Sequence, residues 1–103
     1  MLYLISIFLI LSVQTAAFGA TGSAVTYQVN GESYEGYYIR PSNQAPLVLL
    51  IHDWDGLTDY EIKRANMLAD LGYADFAADL FGAGVRPTEV KDKRQHTGEL
   101  YKD

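Results

Sequence analysis

The apolar run Leu47-Val48-Leu49-Leu50-Ile51 stops abruptly at His52-Asp53-Trp54-Asp55-Gly56, and this junction constrains the fold more than any other segment. An uninterrupted apolar run is the pattern of a central parallel strand buried on both faces. In open α/β sheets, ligands bind in the crevice at the carboxyl ends of such strands. Polar chemistry at that edge therefore marks a site.

The residues that follow supply the crossover that a parallel strand needs. Thr58, Asp59, Tyr60 and Glu61 form a capping-box pattern that opens a helix, and Gly72 stands where a helix C′ glycine belongs. A second apolar segment, Tyr73 to Ala78, then runs into Asp79-Leu80-Phe81-Gly82. Strand, loop, helix, strand is a βαβ unit, and a further helix is expected to begin near Thr88. Upstream, Val25 to Val29 and Ser33 to Arg40 flank Asn30-Gly31, the strongest short hairpin signal, because both residues tolerate positive φ. The second of these strands alternates imperfectly, in a manner compatible with one covered face at a sheet edge. Pro41 to Pro46 reads as a short loop whose prolines remove no ladder donor.

Taken in order and spacing, His52 to Gly56, Leu68-Ala69-Asp70-Leu71-Gly72-Tyr73, and Asp79 to Gly82 resemble the amino-terminal half of the dienelactone hydrolase family. That family belongs to the α/β-hydrolase superfamily. With the preceding strands, the resemblance covers most of residues 25 to 103. It implies an α/β class, here the amino-terminal part of an α/β-hydrolase fold, built of a hairpin plus a βαβ unit and incomplete. It also implies hydrolysis of a small ester or lactone through a nucleophilic thiol or hydroxyl, an acyl-enzyme and water, with no cofactor.

The resemblance assigns parts to the residues at the sheet edge. The α/β-hydrolase oxyanion hole combines the backbone N–H after the nucleophile with one from the loop after the third strand, where Trp54 falls. One such donor is worth a factor of about 10² to 10³ in rate. Trp54 is expected to supply this donor through its main chain, while its indole could equally do no more than cap the sheet edge. Asp53 stands where the family carries a carboxylate, usually Glu, implied to help activate the catalytic thiol. A carboxylate buried at a strand end would be pushed toward protonation, which suits a nucleophile-tuning group, although Asp for Glu shortens the reach. His52 comes too early to be the base, because triad order in this superfamily is nucleophile, acid, then a late histidine. A loop-orienting hydrogen bond is its expected part. Asp79 matches the family's Pro-Asp-Leu-Tyr-Gly pattern with Ala78 replacing the proline, and turn and cap chemistry is its favoured role. Arg94 falls near an arginine that the family is implied to use for the substrate carboxylate; a solvated surface arginine is the alternative.

A metal site built from His52, Asp53, Asp55 and Asp59 fits poorly. Gly56 directly follows the second acid, against the EF-hand spacing, and His96 lies far along the chain for a zinc set. Asp59 is more simply a first-turn helix acid. No Gly-x-Ser-x-Gly or Gly-x-Cys-x-Gly elbow exists in the chain, so the nucleophile is expected downstream and the isolated fragment is expected to be inactive.

Leu2 to Val13 is almost wholly apolar and uncharged, and small or polar residues follow it up to Ala20. It falls short of the about 20 apolar residues of a membrane span. Residues 1–20 therefore read as a secretory signal peptide, cut after Gly19 or Gly22, although the missing Lys or Arg ahead of the apolar stretch counts against it. The remainder is an exported domain over residues 25–103, periplasmic or extracellular, with no stable membrane span after cleavage. A net charge of −5, with eight unclustered Lys and Arg, argues against nucleic acid. A small-molecule ester or lactone is the expected partner. The competing readings are a non-catalytic exported binding protein that keeps the sheet without the elbow and, more weakly, a small metal-binding domain.

Overall fold

The computed structural model describes residues 19–102; Leu2 to Val13, and with it most of the expected signal peptide, lies outside them. The chain enters the fold with strand β1 (Ser23–Val29), which turns at Asn30-Gly31 into the antiparallel β2 (Glu32–Ile39). Positive φ at both turn residues, 51° and 82°, gives the two-residue hairpin the twist that right-handed strands require. After the proline loop come β3 (Leu47–Ile51), helix α1 (Asp59–Asp70), β4 (Ala74–Ala78) and helix α2 (Val90–Leu100). The sheet order is β1-β2-β4-β3, with β4 antiparallel to β2 and parallel to β3.

Helix α1 is closed at both ends by its own sequence. At its start, the Glu61 carboxylate accepts the Thr58 N–H at 3.0 Å and the Thr58 hydroxyl at 2.9 Å, while Thr58 Oγ1 accepts the Tyr60 N–H. Such a cap is worth about 1 kcal/mol. At its end, Tyr73 N–H donates to Leu68 O and Gly72 N–H to Ala69 O, the paired bonds of a Schellman motif. The helix then lies on the sheet through small residues: Ala65 and Ala69 pack with Ile39, and Tyr37 donates to Asn66 Oδ1 at 2.6 Å.

Two expectations need correction. The strand Leu47–Ile51 is not central among the described residues: it pairs only with β4, and Leu47, Leu49 and Ile51 are 64%, 61% and 52% exposed. The reason is that a βαβ unit brings one parallel neighbour and one covering helix, which leaves the other edge and face of β3 open. The hairpin's second strand is not at the sheet edge either; β1 takes that position and β2 lies inside. The second helix begins at Val90, two residues beyond the expected start.

One residue in β4 runs against its surroundings. Asp75 is fully buried between β2 and β3, and neither carboxylate oxygen has a hydrogen-bond partner among the described residues. Burial holds its carboxyl above the ordinary carboxylate range.

Candidate active site

The parallel register pairs Ile51 with Ala78, so the polar segments that follow β3 and β4 emerge side by side. His52 joins them. It is buried, its Nε2 accepts the Leu80 N–H at 3.0 Å, and its Nδ1 lies 2.7 Å from the Asp53 carbonyl. An accepting Nε2 places the proton of a neutral imidazole on Nδ1, which then donates to Asp53 O. Phe81 packs edge-on to the ring at 4.7 Å.

Asp79 anchors the second loop. Its fully buried carboxylate accepts N–H groups from Glu35 at 3.0 Å, Phe81 at 3.0 Å and Gly82 at 3.1 Å, and Arg86 stands 3.5 Å away. The Arg86 guanidinium also donates to the carbonyls of Gly82 and Val85, which folds residues 82–86 back on themselves. Tyr27 on β1 completes the clasp: its hydroxyl donates to Asp79 O at 2.6 Å and accepts the Asp79 N–H at 2.9 Å. Burial holds the Tyr27 phenol above its ordinary value, and the bond from the Asp79 N–H opposes that shift. This geometry is turn and cap chemistry.

Residues 53–56 form a tight turn in which Gly56 N–H donates to Asp53 O at 3.1 Å and Asp55 N–H donates to Asp53 Oδ1 at 3.2 Å. Gly56 has φ of 80°, and a Cβ there would meet Val85 O at 2.8 Å, so the turn sits directly against the loop that Asp79 organises. Among the described residues Asp53 is exposed, at the start of the turn that its own side chain caps. Trp54 takes the tip of the turn, 43% exposed, and its N–H is in neither of the bonds that close the turn.

A cleft of Ile51, Asp53, Trp54, Leu80, Phe81 and Thr97 opens between this turn and α2, with His52 and Leu100 also on its walls. Trp54 and Asp53 thus share one cleft. Arg94 does not line it; it is exposed on α2. The α2 cation that reaches the turn is Lys93, with Nζ 2.8 Å from Asp55 Oδ1 and 5.2 Å from the centre of the Trp54 ring. Helical phase would have singled it out, since Lys93, Thr97 and Leu100 follow the i, i+4, i+7 spacing of one face. Among the described residues, no three His, Asp or Glu side chains are grouped to hold a metal ion, and no helix is long and apolar enough to cross a membrane.

The sequence matches the dienelactone hydrolase family over residues 34–103. It is 34% identical over 85 residues to an Aquifex aeolicus (strain VF5) protein called "Putative carboxymethylenebutenolidase", a match that covers 71% of this chain and 37% of that protein. Among solved structures, it is similar to the protein called m3DLH, with a TM-score of 0.75 and 28% identity over 84% of this chain and 37% of the other. A dienelactone hydrolase-like promiscuous phosphotriesterase from metagenomic libraries gives a TM-score of 0.71 and 26% identity over the same shares. The chain therefore spans about 37% of the length of these relatives. With the βαβ unit, the site turn and the Asp79 loop all inside the matched residues, this chain belongs to the dienelactone hydrolase family.

Proposed function

We propose that this chain forms the amino-terminal part of the site of an exported hydrolase of small ester or lactone bonds. The observation that carries the reading is the position of the Trp54 N–H at the tip of a turn held by His52, Asp53 and Gly56, at the carboxyl end of a parallel strand. A nucleophile supplied from beyond Asp103, with a thiol as the first choice, attacks the carbonyl carbon. Negative charge then forms on the carbonyl oxygen, where the Trp54 N–H donates to it. Collapse breaks the bond to the leaving oxygen, which takes up a proton; water then cleaves the acyl-enzyme and regenerates the nucleophile. Asp53, on the cleft wall, is the carboxylate proposed to tune that nucleophile; Arg94, proposed for the substrate carboxylate, does not line the cleft.

Turnover of an activated phenyl ester tests the reading. The full-length gene product should hydrolyse it, and residues 1–103 alone should not. Hydrolysis by residues 1–103, abolished by replacing Asp53 or His52, overturns the downstream nucleophile. A binding protein with a hydrolase-like sheet is the competing reading. A full-length product that binds esters without cleaving them would establish that instead.

A further inference from the structure

The site turn is closed at its base by its own backbone and by His52, but its tip carries two side chains, Trp54 and Asp55, that the internal bonds do not hold. A single group from another element reaches both. Lys93 extends from α2 to place its ammonium against the Asp55 carboxylate and over the Trp54 ring. The approach to Asp55 Oδ1 lies outside hydrogen-bond directions, so the contact is an ion pair rather than an aligned hydrogen bond. Lysine ordinarily keeps its ammonium in water and gives up about 2 kcal/mol of rotamer freedom when fixed. Here the Lys93 side chain is only 17% exposed, against 45% for Asp55, so the lysine has come down onto the turn. Helix α2 has few other ties: His96 sets its ring 5.4 Å from that of Phe81, but none of the helix residues is buried, and its N-cap Glu89 makes no side-chain cap bond.

We propose that Lys93 is a positioning residue that clamps α2 to the site turn and sets the orientation of Trp54. Contact with two consecutive side chains holds the indole at the cleft wall, whereas the Trp54 N–H shares a peptide plane with Asp53 O, which His52 and Gly56 already fix. For its catalytic consequence, the clamp rests on the proposed hydrolysis of an ester in the cleft that the indole lines; its existence does not. The clamp also makes the cleft a property of two elements, since Thr97 and Leu100 reach its wall only when α2 is held in place. Cation–π contact contributes alongside charge, so arginine should substitute and methionine, which keeps the stem alone, should not.

The test uses the full-length gene product, with the Trp54 emission isolated as the difference from Trp54→Phe. Acrylamide quenching of that signal should rise about two-fold in Lys93→Met, as removal of the cation–π cover from a half-exposed ring would cause. Lys93→Arg should restore it, and Asp55→Asn should fall between. Unchanged quenching in Lys93→Met with a native circular-dichroism spectrum overturns the clamp. If Lys93→Met fails to fold, Asp55→Asn decides, and unchanged quenching there is equally fatal. Ester turnover separates the two readings: raised quenching in Lys93→Met with kcat and KM unchanged would establish the clamp and remove it from the proposed hydrolysis.

Discussion

Leu80 donates its backbone N–H to Nε2 of His52 across 3.0 Å, and so ties the carboxyl ends of β4 and β3 together. The imidazole faces Asp53 O with its other nitrogen, so one buried ring sets both site loops. His52→Phe should keep the packing against Phe81 but leave the Leu80 N–H without its acceptor. That should cost about 1–3 kcal/mol, read as a lower urea midpoint of the full-length product. Unchanged stability would mean that the loops are held elsewhere.

Asp79 should be the more costly residue to remove. Asp79→Ala leaves three N–H groups without their acceptor and a half-buried Arg86 without its counter-charge. A loss of about 3 kcal/mol or more is expected, with Asp79→Asn milder because one amide oxygen still accepts. Urea unfolding of the two variants side by side checks the order.

Asp75 should make stability fall with rising pH. Its carboxyl is raised in the folded state, so between the ordinary carboxylate value and the raised one the folded chain holds a proton that the unfolded chain has released. The contribution is fully present below the unfolded value and is lost as pH climbs through the folded one, at up to about 1.4 kcal/mol per pH unit. Asp75→Val should abolish this slope and raise stability above it, since it removes two unpartnered buried oxygens. Unfolding curves across mildly acidic to neutral pH read the slope directly. An Asp75→Val variant with an unaltered slope would assign it to other groups.

Export predicts a mass. If Leu2 to Val13 is the apolar core of a signal, expression through a secretion system should yield a product about 20 residues shorter, visible by intact-mass measurement. An uncut, membrane-retained product would replace export with anchoring.

Much of this architecture was legible in local sequence because the signals are local. Asn30-Gly31 needs only its own dihedrals to make a hairpin, and Thr58 with Glu61 and Gly72 close α1 using bonds that span a few residues. The polar stop after Ile51 likewise located the turn that lines the cleft, because an apolar run ends where its strand leaves the sheet. Tertiary structure alone decided the rest. Whether Asp53 is buried depends on what lies over the turn, and the exposure of Leu47, Leu49 and Ile51 depends on which elements pack beside β3. Arg94 and its neighbour Lys93 are equally basic in sequence, yet a 100° step around the helix sends one to solvent and the other to Asp55. The partners of Asp79 on Glu35 and Tyr27 lie 44 and 52 residues away, and the isolation of Asp75 is set by the strands on either side; long-range placement, not residue type, determines both.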